Sequence, residues 1–225
     1  MNTLFSHVCV VTMDDRMSVW TDAFVGVTDG KISYLSKHAP EEKPDQIIDA
    51  TGMVLMPGLI NCHTHLPMQL LRGYADDLKL QEWLNDYIFP REDRLDGRCV
   101  RAATTLAVAE CLKFGVTSVS DMYYFCDDIC DVIAKSGMKA NISRGTSMFL
   151  GDDFDFEKFP ACQELVALKE KWHNYDGGRI KIEASIHAEY TSTYQLWDAL
   201  SEFCINEGIG MQVHVSETKL EHDQC

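Results

Sequence analysis

No apolar stretch in this 225-residue chain approaches the roughly 18–20 consecutive residues a membrane-spanning helix needs, so no membrane partner is expected. Residues Met1 to Val11 lack a basic n-region and a clean apolar segment, and no secretory leader is expected. Positive charge is scarce: 20 Lys and Arg against 35 Asp and Glu give a net charge of −15. A phosphate backbone needs a basic footprint, so nucleic acid is not an expected partner. Low-complexity tracts and fixed-period repeats are absent, which excludes collagen-like and coiled-coil fibres. Several catalytic signatures are missing too. There is no G-x-x-x-x-G-K-[ST], no G-x-G-x-x-G, no G-x-S-x-G and no H-E-x-x-H. His187-Ala188-Glu189 supplies the H-x-E half of a cytidine-deaminase signature, but Cys126 and Cys130 are spaced C-x-x-x-C, not P-C-x-x-C.

What remains is an ordinary globular composition, 46% apolar and 24% charged, enough for a sizeable core. The nine cysteines are an odd, scattered set and read as reduced, mostly buried thiols of a cytoplasmic protein. Residues 1–56 read as β. Short apolar runs at Val8–Val11 and Phe24–Val27 precede Asp29-Gly30, and Lys31–Leu35 follows it. Asp-Gly between two such runs signals a hairpin, because a type I′ turn needs positive φ. Residues 38–46 form a polar, proline-containing loop, and Val54–Met56 leads into Pro57-Gly58.

From residue 57 to 225 the pattern changes to short buried strands alternating with helices. Strands are expected at 59–63, 116–120, 139–143, 180–186 and 210–215. Helices are expected at 97–113, 127–135, 157–173 and 193–206, each closed near a glycine. Such βα repetition implies a parallel sheet with right-handed crossovers. His63, Arg144, His187 and His214 each fall at the C-terminal end of a different strand, which favours a barrel over an open sheet.

The chemistry begins at His63-Thr64-His65. At a strand end, residues i and i+2 point to one side, so two imidazoles can reach one metal ion. His214 offers a third nitrogen, and three protein ligands leave a position open for water, as in catalytic zinc sites. Glu217, three residues on, is placed to take a proton from that water and pass it to a substrate. Zinc is the expected ion, with iron and manganese left open by this donor set.

The string PGLINCHTHLPMQLLRGYADDLKLQEWLNDYIFPRE at 57–92, with HVSET at 214–218, resembles the amidohydrolase superfamily. It is most similar to the 5-methylthioadenosine/S-adenosylhomocysteine deaminases of the TRZ/ATZ branch, and the resemblance spans the whole chain. It implies a metal-dependent hydrolase barrel with an N-terminal partial β-sandwich at 1–56. His63, His65 and His214 match the zinc ligands, and Glu217 matches the catalytic proton shuttle and substrate contact. Glu92 matches the carboxylate used on the ribose hydroxyls. Arg144 and His187 match contacts near the thioether side and the purine respectively. Read alone, Glu92 and Arg144 are solvated surface charges. Trp83 and Phe89 serve equally as pocket walls or core packing.

The expected reaction is release of ammonia from the adenine amino group of a small nucleoside substrate. Alternatives are an aminohydrolase or chlorohydrolase of the same branch acting on guanine, a pyrimidine or a triazine, or a non-catalytic fragment. A homo-oligomer is left open. The family also places a histidine at the sixth strand and a zinc-binding aspartate at the eighth, and neither falls within these residues. Residues 57–225 supply five strands where eight close a barrel of about 250 residues. The resemblance therefore implies an incomplete (β/α)8 barrel, with open edges at its first and fifth strands, and a 225-residue chain inactive alone. His7, His38, His173 and His222 read as surface residues, and Asp152-Asp153-Phe154-Asp155 as a solvated loop.

Overall fold

The computed structural model describes residues 1–149, 151 and 153–224, so Leu150, Asp152 and Cys225 lie outside the described residues. The chain divides into two compact units, Met1–Gly58 and Leu59–Cys225.

The first unit is one mixed sheet. β1 (Thr3–Val11) pairs antiparallel with β2 (Val19–Thr28), which pairs antiparallel with β3 (Lys31–Ser36). β4 (Gln46–Asp49) and β5 (Val54–Leu55) both run parallel to β1. Alternation along β1 buries Leu4, Ser6, Val8 and Val10 on one face. Asp29 and Gly30 both take positive φ, 50° and 74°, as the two central residues of the expected hairpin turn. The core is thin: Val8, Val10, Ala23, Val25 and Ala50, with Phe5, Trp20 and Leu55 packed around them. β4 begins at Gln46, the last residue of the stretch read as loop.

The second unit is a half-barrel of five parallel strands: β6 (Leu59–Thr64), β7 (Val116–Tyr123), β8 (Lys139–Arg144), β9 (Ile180–Ala188) and β10 (Met211–His214). Their order in the sheet follows the sequence, so each strand pairs with the next. Helices α1 (Gly97–Lys113), α2 (Cys126–Ser136), α3 (Pro160–Trp172) and α4 (Tyr194–Glu207) fill the crossovers. Each has a legible boundary. The Asp96 carboxylate accepts the Cys99 N–H at the start of α1, Pro160 opens α3, and left-handed Gly137 and Gly208 close α2 and α4. The core joins Ile142, Ile180, Ile182 and Ile186 of the strands to Ile129, Ile133, Leu196 and Leu200 of the helices.

α3 ends at Trp172, well before Gly177-Gly178. His173 turns extended there, and its Nδ1 lies 3.1 Å from the Ile182 backbone nitrogen, so this histidine is half-buried and tied to β9, not free on the surface. His7, His38 and His222 are exposed. Of the described cysteines, all free, Cys126, Cys130, Cys162 and Cys204 are buried, while Cys9, Cys99 and Cys111 are half-buried and Cys62 is exposed. The sequence reading of mostly buried thiols therefore holds for half of them. No described helix is long and apolar enough to cross a membrane.

Candidate metal centre and the pocket around it

Two strand irregularities set up the site. On β6, Asn61 pairs with Val119 but Thr64 pairs with Asp121, so an extra residue is accommodated at Cys62-His63. On β9, Val213 of β10 faces Ile186 while His214 faces Ala188, which leaves His187 as the extra residue of a bulge. Bulges re-aim side chains, and here each coincides with a histidine of the site. β6 and β10 are the outermost strands of the sheet, yet curvature brings their C-terminal ends together. His63, His65 and His214 each offer a ring nitrogen within 4.8 Å of the others. Their ring centroids are 4.9–5.3 Å apart.

A tetrahedral ion with bonds of about 2.0–2.1 Å holds its nitrogens roughly 3.4 Å apart, so modest rotations would complete the ligation. The donor set fits a zinc ion on a further ground. His65 Nδ1 lies 2.6 Å from the Met122 carbonyl, which can only accept, so Nδ1 carries the proton and Nε2 keeps a lone pair. Burial holds His65 and His187 below the usual histidine range, and burial with the neighbouring imidazoles takes His214 down to about 4. Neutral imidazoles at neutral pH are the form a metal binds.

The three imidazoles open into a cavity of about 200 Å³ whose wall also includes Glu92, His187 and Glu217. Glu217 reaches it because Ser216 takes a left-handed backbone (φ 51°), with the Ser216 N–H donating to Glu189 Oε2 at 3.1 Å. Burial, then the nearby Glu221 carboxylate, raises Glu217 above the ordinary glutamate range. His187 stands with its ring 5.5 Å from that of His214, and its Nδ1 is 3.1 Å from Thr191 Oγ1. Glu92 accepts a 2.5 Å hydrogen bond from the Tyr123 hydroxyl, and burial raises its pKa.

Arg144 lies in an adjoining cavity of about 830 Å³, which shares Phe89, Glu92, Tyr124 and His187 with the first. Its guanidinium stacks 5.0 Å over the Tyr124 ring, and its Nε donates to Glu164 at 2.7 Å. Lys171 and Asp127, paired at 2.6 Å, add charge to the same cavity.

Six of the seven residues picked from the sequence thus line one pocket, and Arg144 lines its extension. Trp83 and Phe89 are walls of that pocket. The sequence reading missed their element: Leu80–Glu82, a π-helical turn Trp83–Ile88 and Phe89–Glu92 run on as one helical segment. Leu80, Trp83, Leu84, Tyr87 and Ile88 carry the i, i+3, i+4, i+7, i+8 spacing that could have found it, despite Pro90. π turns concentrate at functional sites, and this one carries Glu92 to the pocket. Asp121 and Tyr123 on β7 were also missed. In sequence they fall just past the strand expected at 116–120, which the structure extends to Tyr123, and nothing local marks them.

Comparison with known proteins agrees with this geometry. Residues 54–225 match the amidohydrolase family. A 5-methylthioadenosine/S-adenosylhomocysteine deaminase from Thermoanaerobacter pseudethanolicus is 33% identical over 224 residues, covering 100% of this chain and 51% of that protein. A 5'-deoxyadenosine deaminase from Methanosarcina acetivorans is 36% identical over 219 residues, covering 97% and 50%. Among solved structures, an adenosine deaminase from Xanthomonas campestris with bound zinc superposes with a TM-score of 0.87 at 28% identity, over 99% of this chain and 51% of its own. The chain spans about half the length of these relatives. With a family match over most of its residues and the fold and histidine cluster in agreement, this chain belongs to the amidohydrolase family.

Proposed function

We propose that this chain provides the metal-binding and substrate-recognition half of a cytoplasmic hydrolytic deaminase. Its substrates are adenosine-type nucleosides with a thioether 5′ tail, 5-methylthioadenosine and S-adenosylhomocysteine. The observation that carries the reading is the meeting of three imidazoles with a raised-pKa carboxylate, Glu217, at one small cavity. Relatives bearing deaminase names over the full length of the chain support it.

His63, His65 and His214 would hold the zinc ion, which when bound supplies Lewis acidity and a water able to ionise near neutral pH. Glu217 would take a proton from the attacking water, deliver it to the purine ring nitrogen as the amino-bearing carbon is attacked, and then assist departure of ammonia as the C–N bond breaks. A carboxyl raised by burial is matched to both halves of that task, because it neither holds nor surrenders the proton too strongly. His187, on its bulge beside the imidazoles, orients the purine. Glu92 sits where the small cavity meets the large one and accepts from the ribose hydroxyls, a role the Tyr123 hydroxyl pre-positions. The larger cavity then takes the 5′ substituent, with Arg144 and its ion-paired neighbours at the polar end. A bare base such as guanine or cytosine would leave that cavity empty, which is why a nucleoside is favoured.

The test is ammonia release by the complete gene product from 5-methylthioadenosine, S-adenosylhomocysteine, guanine and cytosine. Turnover of the first two is expected, and turnover of the bare bases alone would overturn the substrate assignment. Glu217→Gln should lower kcat by about 10²–10⁴ while leaving zinc content unchanged.

A further inference from the structure

The end of β7 does more than pair with β6. Asp121 is fully buried, and its Oδ1 accepts two hydrogen bonds from β6 and the turn after it: Thr64 Oγ1 at 2.8 Å and the Leu66 backbone N–H at 2.6 Å. Those two donors are the residues on either side of His65. The Leu66 N–H is the first of the 3₁₀ turn Leu66–Leu71, so the carboxylate also caps an element that has no side-chain cap of its own. The next residue of β7, Met122, accepts from His65 Nδ1 through its carbonyl. His65 is therefore clamped three ways by two consecutive residues of one strand, twice through its backbone neighbours and once through its ring.

The clamp matters because the register of β6 is irregular at Cys62-His63, so strand pairing alone fixes the H-T-H segment poorly. Thr64 Oγ1 lies 3.0 Å from the Ser120 carbonyl as well, but the Leu66 N–H has Asp121 as its partner. Asp121 Oδ2 has no hydrogen-bond partner among the described residues and is buried away from solvent. One oxygen does the holding. We infer that Asp121 is a positioning residue for the metal centre, which sets zinc affinity by holding the Thr64 hydroxyl and the Leu66 N–H, on either side of His65, through Oδ1. Partners of this kind, one step removed from the ion, typically change metal affinity about 10–100-fold when removed.

The role separates cleanly from a charge effect, because asparagine keeps an Oδ1 acceptor and discards the charge. Zinc dissociation constants would be measured by competition with a chromophoric chelator for the parent, Asp121→Asn, Asp121→Ala and Thr64→Val. Circular dichroism would confirm that each is folded. Asp121→Asn is expected within threefold of the parent, Asp121→Ala about 10–100-fold weaker, and Thr64→Val, which removes one of the two donors, severalfold weaker. If Asp121→Ala fails to fold, Thr64→Val carries the test, since it leaves the carboxylate in place. Parent-like affinity in folded Asp121→Ala or in Thr64→Val overturns the inference, as does an Asp121→Asn affinity as weak as alanine's. The inference rests on the metal reading. A parent that takes up no zinc removes both, whereas a zinc-binding parent with an indifferent Asp121 removes this one alone.

Discussion

Inner and outer strands of the half-barrel are built to different standards. Ile142 on β8 and Ile180, Ile182 and Ile186 on β9 are completely buried, and β7, β8 and β9 are paired on both sides. β6 and β10 each pair on one side only among the described residues, and β6 leaves Leu59 and Ile60 exposed by 51% and 67%. The three candidate metal ligands nevertheless sit at the ends of these outer strands. The inner strands supply what holds or surrounds them: Asp121, Met122 and Tyr123 from β7, Arg144 from β8 and His187 from β9. Ligands gain from side chains that can rotate onto an ion, and supports gain from backbone that cannot move. An ion held by His63, His65 and His214 would tie the C-terminal ends of β6 and β10 to each other across the sheet.

That tie gives a large expected effect. Zinc at about 100 times its Kd contributes about 2.7 kcal/mol, which for a chain of this size raises Tm by roughly 5–10 °C. Calorimetry with zinc and with EDTA should show this shift in the parent and none in His214→Ala, which cuts the tie at β10. A full zinc shift surviving in His214→Ala would break the comparison at its centre.

The next effect measures the two classes of strand directly. Ile182→Ala removes a fully buried side chain from β9 and should cost about 2–5 kcal/mol in urea unfolding. Ile60→Ala removes a side chain that is already two-thirds exposed on β6 and should cost only about 0.5 kcal/mol. Similar losses at both positions would show that β6 is packed as an inner strand is, and the division of labour would fail.

How much of this was legible in the sequence follows the same line. Strand-end histidines are visible because chain order alone places them: H-T-H after an apolar run, then H-x-x-E after another. The parallel half-barrel is visible through alternating βα texture and glycine stops at Gly137 and Gly208. The supports are not visible. Asp121 falls one residue past the strand expected at 116–120, and its meaning appears only when β6 is laid alongside with its bulge. The same holds for His173, whose tie to Ile182 depends on where α3 stops. Glu92 and Arg144 needed the family pattern, because a charged residue on an isolated string looks solvated whatever cavity it later lines.

The smallest effect distinguishes inner support from outer ligand by the sign of its pH dependence in metal-free protein. Burial raises Asp121 from its ordinary 3.8 to about 7, so between those values the unfolded chain is ionised and the folded chain keeps its proton. The folded state then binds more protons, and this group's contribution makes stability fall as pH rises through that window. His214 behaves oppositely. Its pKa drops from 6.5 to about 4, so between these values the unfolded chain holds the proton and stability rises with pH. The windows overlap from about pH 4 to 6.5, and the two slopes partly cancel in the parent. Asp121→Asn should unmask the rising slope, and His214→Ala the falling one, each by at most about 1.4 kcal/mol per pH unit. Urea midpoints at pH 5 and pH 6 in EDTA read the difference. If both variants moved the slope in the same direction, Asp121 and His214 would not be the buried support and the edge ligand that the comparison makes them.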